Sequence, residues 1–172
     1  ILILCKITTF GVPMKTQMTI PYFTIDAPYE LAYRNNGTSS PARPHTHNAL
    51  EIYLTMSDLP DVLLDDTVSS VSKGSLIIIP PHHVHQLFNQ KLTIYERYVL
   101  NINSDWLYTV LGAGSGLMPY ADPAFSPAIL RLSPTGLTGL CSQLDHYLQL
   151  HPQPSPWEKV RVRRRASSVG SV

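Results

Sequence analysis

His45-Thr46-His47-Asn48-Ala49-Leu50-Glu51 and, further on, Gly74-Ser75-Leu76-Ile77-Ile78-Ile79-Pro80-Pro81-His82-His83-Val84-His85-Gln86-Leu87-Phe88-Asn89 are the stretches whose reading decides the fold. Imidazole and carboxylate are donors that a borderline divalent ion accepts, and His45, His47, Glu51 and His85 together fill most of a coordination sphere. His45, His47 and Glu51 share parity, so an extended backbone turns them to one side of a sheet. Ligand-capable groups that face one way, followed by an apolar strand, describe the lining of a small barrel.

The surrounding sequence supports a β-rich body. From residue 45 to 103, short apolar runs alternate with turn residues: Glu51 to Met56, Val62 to Leu64, Leu76 to Ile79 and a long strand expected over Leu92 to Asn103. On that last strand Ile94, Tyr98, Leu100 and Ile102 share a face that reads as core, with Arg97 on the opposite face. Upstream, Tyr29, Leu31 and Tyr33 alternate with Glu30, Ala32 and Arg34, before the turn-rich Asn35 to Pro41. The 15 prolines among 172 residues argue against a helical bundle.

Helical character begins after residue 103. Ser104 is read as the cap of a helix over 105 to 111. Ser133-Pro134 opens a second helix, over 134 to 149, whose Leu137, Leu140, Cys141, Leu144, Tyr147 and Leu148 form one apolar face.

Charge and cysteine content exclude several classes. Residues 157–172 carry five of the 13 basic groups and one of the 12 acidic ones, so the remaining body lies near −3 and offers no electrostatic nucleic-acid surface. Cys5 and Cys141, far apart in sequence, give no disulfide framework, and a reduced cytoplasmic protein is expected. No apolar run approaches the ~20 residues that span a bilayer. The absence of an initiating Met makes Met14 or Met18 the expected start, and the basic end after Trp157 reads as an aberrant or truncated tail. There is no nucleotide-binding glycine loop between a strand and a helix, and no cysteine beside a base.

The two opening motifs resemble those of the cupin superfamily. Its first motif is His-x-His with Glu four residues on; its second is Gly, five residues, Pro-x-Gly, two residues, His, three residues, Asn. Gly74, Pro80, His85 and Asn89 stand in register, while His82 replaces the usual glycine and Asp58 stands where another glycine is expected. Both departures fall at turns and bear on loop shape. A narrower resemblance, over residues 27 to 150, is to the effector-binding domain of AraC-type transcriptional regulators. It is carried by His45-x-His47-x-x-x-Glu51-Ile52, by Gly74 to Pro81 and the following His, by Tyr95 to Ile102, by Asn103-Ser104-Asp105, and by the helix opened at Leu132-Ser133-Pro134.

These resemblances imply an all-β cupin barrel, a double-stranded β-helix or jelly roll, followed by C-terminal α-helices. The expected division is an N-terminal extension at 1–18, the barrel at 19–103, a helical packing and dimerisation segment at 104–151, and a Pro-rich linker with the basic tail at 152–172. They imply a small polar effector, such as a sugar, bound inside the barrel by His47, Glu51 or His85; Tyr53, which shares the parity of Glu51, and Arg43, just ahead of the ligand pair, are the weaker candidate contacts. They also imply a homodimer, and DNA contact only through a helix-turn-helix region that these residues do not include. In cupin enzymes the residues matching His45, His47, Glu51 and His85 hold Zn, Ni, Mn or Fe, whereas many sensor domains use the same pocket without a metal. No catalytic residue is assigned. The rival expectation is a stand-alone metal-dependent cupin enzyme, an isomerase or dioxygenase, and a third is a fragment without a function of its own. His82 and His83, beside the Pro-Pro turn, read as exposed turn residues, and His146 and His151 as solvent-facing.

Overall fold

The computed structural model describes residues 20–35, 43–88, 94–112, 115–116 and 118–152. Asn89, the N-terminal extension up to residue 18 and the basic tail lie outside them. The strands, in chain order, are β1 (Tyr22–Phe23), β2 (Tyr29–Arg34), β3 (Thr46–His47), β4 (Ala49–Thr55), β5 (Val62–Leu64), β6 (Thr67–Ser69), β7 (Ser75–Ile79), β8 (His85–Leu87), β9 (Arg97–Asn103) and β10 (Ala128–Arg131). Helices α1 (Ser104–Leu111) and α2 (Met118–Ala121) precede β10, and α3 (Pro134–Leu150) follows it.

Five strands form one sheet in the order β10-β7-β4-β9-β2, antiparallel throughout. A smaller layer consists of β6-β5-β8, continued toward the parallel pair β3-β1 by a single bridge between His45 and His85. Among the described residues this is two facing layers and not the single closed barrel that was expected. Strands of two or three residues make too few ladder bonds to wrap round to the edges of the large sheet.

The period-two rule divides the large sheet cleanly. Inward-facing Tyr53, Ile77, Ile79 and Val99 pack with Val62, Leu64 and Leu87 of the small layer. On the outer face Leu50, Ile78 and Ile102 pack beneath Leu107 of α1 and Ala121 of α2. Further along that face Leu31, Leu54 and Tyr98 are covered by Leu137, Leu140, Cys141, Leu144, Tyr147 and Leu148 of α3. The apolar stripe read at spacings of three and four therefore docks on the sheet. Each Leu or Ile fully buried there contributes about 1.5–3 kcal/mol. Ser133 caps α3 as expected, its Oγ accepting the Gly136 amide at 3.1 Å, with Pro134 in the first turn.

Three local expectations are corrected. The strand expected over Leu92 to Asn103 is β9, which starts at Arg97; Leu92 lies outside the described residues, and Ile94 is 75% exposed. The amides of Met56 and Ser57 both donate to the Glu96 carbonyl, which closes the β4–β9 ladder at the Thr55–Arg97 pair. The cap of α1 is Asn103, whose side-chain oxygen accepts the Trp106 amide at 3.0 Å; Ser104 is already inside the helix. The strand body is also not confined to residues 19–103, because β10 returns to pair with β7 after two helices.

Candidate functional site

Parity and one bridge assemble the site. His45 and His85 face each other across an antiparallel bridge, each donating its amide to the other's carbonyl at 3.1 and 3.0 Å. His47 ends β3, and Glu51 projects from the inner face of β4. The ring centroids of His45 and His85 are 4.2 Å apart and those of His47 and His85 4.9 Å. Glu51 Oε2 lies 3.2 Å from His47 Nε2 and 2.9 Å from His85 Nε2. His47, Glu51 and His85 are buried, and His45 is half-buried. Glu51 and His85 lie far apart in sequence, yet the four side chains expected to act together are brought to one point.

One of the two turns that depart from the motif pattern is left-handed. His82 sits at φ 69°, in the left-handed region that normally favours glycine. Its amide donates to the His47 carbonyl at 2.8 Å, and its ring stacks on Tyr22. The carbonyl bond ties the second motif to the first. His83 is not a bare turn residue either: Nδ1 meets Asp65 Oδ2 at 2.7 Å, and Nε2 meets the Pro123 carbonyl at 2.9 Å.

The ring polarity of two histidines suits an ion. Nδ1 of His45 donates to the Arg43 carbonyl at 2.9 Å, and Nδ1 of His85 donates to the His83 carbonyl at 3.0 Å. In the neutral ring of each, Nε2 is then the unprotonated nitrogen, the arrangement by which outer partners orient metal-binding imidazoles. Nε2 of His85 is buried; it approaches Glu51 without hydrogen-bond alignment and has no other partner. His47 has the opposite polarity, since its Nδ1 accepts the Ala49 amide in a long 3.3 Å bond. A donor atom from each of His45, His47 and His85 lies within 4.8 Å of the other two. Three imidazoles with one carboxylate are a donor set that fits Zn, Ni, Mn or Fe as the divalent ion.

The electrostatics follow from burial and pairing. Burial alone would raise Glu51, but contacts with His47 and His85 and their charge overturn it and hold the carboxyl well below its usual range. Burial likewise pushes His85 down, and the contact and charge of Glu51 outweigh that to leave it above its ordinary value. For His45 burial wins, against the Arg43 carbonyl, and keeps the ring toward its neutral, ligating form.

Beside the cluster lies a cavity of about 120 Å³, walled by His45, Tyr53, Ile79, His85, Tyr95 and Arg97 among others. Burial pushes the Tyr53 phenol well above its ordinary value, and the nearby Glu51 charge adds to this, so the hydroxyl remains a neutral donor. Arg43 is exposed and reaches the site through its backbone carbonyl. Arg97, a weaker candidate placed by the sequence on the face opposite the apolar one, is 7% exposed and belongs to the cavity wall. Its parity was legible, but which face of the strand is inward follows only from the β4–β9 register, which places it opposite Thr55.

No protein-family model matches the sequence, and no curated protein matches it. Among solved structures the chain is similar to a cupin 2 conserved barrel domain protein from Salinispora arenicola, with 20% identity, 52% of this chain and 76% of that one covered, and a TM-score of 0.41. It is similar to the plu4264 protein of Photorhabdus luminescens, with 24% identity, 51% and 72% covered, and a TM-score of 0.39. It is also similar to unsaturated fatty acid-bound ToxT from Vibrio cholerae, with 6% identity, 68% and 45% covered, and a TM-score of 0.45.

Proposed function

We propose that this chain is a ligand-sensing domain of the cupin type, such as AraC-type regulators carry, with a small polar effector held between the two layers. The convergence of His45, His47, Glu51 and His85 beside a cavity that His45 and His85 line is the observation that supports this reading. The histidines and Tyr53 supply directional polar contacts, and Val62, Ile79 and Leu87 exclude water from the rest of the wall. Arg43 acts by holding His45. Binding transmits a signal only if the effector prefers one of two arrangements of the domain. The candidates for that change are the seating of α3 on the sheet and a homodimer contact through it. DNA is reached through a helix-turn-helix region outside these residues, and the site of action is the cytoplasm. No helix of the described residues is long and apolar enough to cross a membrane.

A second reading is favoured by the histidine cluster. With a divalent ion held by His45, His47, Glu51 and His85, the ion would supply Lewis acidity and open coordination positions. The same site would then belong to a small metal-dependent enzyme, an isomerase or dioxygenase.

The test is to purify the 172-residue chain and measure metal content, molar mass by light scattering, and calorimetric response to a panel of small polar metabolites. The sensor reading expects a dimer that binds one class of metabolite and returns it unchanged. Repeated turnover of a bound compound would replace it with the enzyme reading. A monomer that responds to no metabolite would end it.

A further inference from the structure

We propose that Arg97 is the anchor of a small carboxylate ligand, with the rest of that ligand directed toward His45 and His85. This deepens the sensing role proposed above and rests on it. A buried guanidinium is ordinarily surrounded by acceptors, since its five donors cannot be neutralised by losing a proton. Arg97 departs from that rule. It is 7% exposed, and its Nε and Nη1 are buried without a hydrogen-bond partner. Among the described residues it makes no ion pair; the nearby carboxylate, Glu51, is already engaged by His47 and His85.

What surrounds Arg97 holds the guanidinium in place without satisfying it. The guanidinium carbon lies 4.5 Å from the centre of the Tyr95 ring and 5.9 Å from that of Tyr53. Aromatic faces attract the cation and fix its plane, while the in-plane N–H groups stay available for an acceptor. All three side chains line the cavity that His45 and His85 also line. On β4 the inward positions run Glu51, Tyr53, Thr55, and Arg97 pairs with Thr55 while Asn101 pairs with Glu51. The backbone of Arg97 thus lies toward one end of the inner face, roughly 13 Å along the strand direction from the backbone of Glu51. One end of the cavity calls for an anion, and the other offers imidazoles.

Size and charge narrow the class. A volume of about 120 Å³ falls below the ~300 Å³ at which sites for drug-sized ligands begin. One cation in a space that also feels the Glu51 charge balances a monoanion better than a phosphate dianion. A guanidinium also matches the planar carboxylate in geometry. Val62, Ile79 and Leu87 complete the wall and suit a short aliphatic body.

The experiment measures thermal shifts and calorimetric affinities of the full chain at constant ionic strength. The probes are propionate, lactate and pyruvate, each against its neutral amide, with inorganic phosphate and arabinose as further arms. The carboxylates are expected to raise Tm and the amides to leave it unchanged. Arg97→Gln should weaken carboxylate binding at least tenfold, with Arg97→Lys in between. If Arg97→Gln fails to fold, the acid-against-amide contrast in the unaltered chain decides. The proposal is overturned if amides bind as well as acids, if Arg97→Gln binds unchanged, if phosphate is the preferred anion, or if no carboxylate binds. Arabinose binding with silent carboxylates would remove the carboxylate and leave the sensing role. Turnover of a carboxylate that still depends on Arg97 would do the reverse.

Discussion

The two faces of the five-stranded sheet are made by the same strands and do opposite work. The outer face carries Leu31, Leu50, Leu54, Ile78 and Ile102 under three helices, and its buried phenol, Tyr98, donates to Asp145 of α3. The inner face intersperses Ile77, Ile79 and Val99 with Glu51, Tyr53 and Arg97. Buried polar and charged groups cost free energy unless fully paired. Half of the inner face is therefore unfavourable for stability taken alone, and the outer face offsets it. A sheet whose second face was equally apolar would be more stable and would bind nothing.

Breaking the outer face should give the largest effect. Leu54 is 2% exposed between β4 and α3, and Leu54→Ala is expected to cost about 2–5 kcal/mol, read by urea denaturation. An inner-face replacement of similar volume should behave differently. Glu51→Met combined with His47→Leu and His85→Leu removes a buried charged cluster, so stability should stay level or rise by about 1–4 kcal/mol. The same variant should lose any stabilisation by added Zn²⁺ or Ni²⁺. A fall of several kcal/mol would show instead that the cluster stabilises the fold.

The inner face should also be the pH-sensitive one. Glu51 is held below its ordinary range in the folded chain. Its contribution is then complete above the unfolded value of about 4.3 and is lost as pH falls toward the folded one. His85 is raised, so its contribution is complete below about 6.5 and is lost as pH rises through the folded value. In metal-free buffer, the stability difference between the unaltered chain and Glu51→Gln should therefore peak in weakly acidic solution. A flat difference from pH 4 to 9 would mean that the two groups are not coupled. The smallest effect is expected at the edge of the outer covering: Ser133→Ala removes the α3 cap and should cost about 1 kcal/mol, seen as a Tm decrease.

Much of this was legible before any coordinates. Shared parity put His45, His47 and Glu51 on one side, and proline punctuation marked the strand ends. The three-and-four spacing of Leu137 to Leu148 defined a docking face. Local signals failed where two alternatives were chemically equivalent nearby. Asn103 and Ser104 can both cap α1, and the Asn103 side chain is the one that reaches the Trp106 amide. Ile94 continues the apolar pattern of β9, yet the ladder has already closed at Arg97.

The candidates His45, His47, Glu51 and His85 and the period-two faces of the strands were legible in the sequence alone, because side-chain period is a local property of the backbone. The inward direction, the pairing of His45 with His85, and the unpartnered burial of Arg97 were decided only by tertiary structure. Each depends on the register between strands distant in sequence, where a slip of one residue would turn every side chain to the other face.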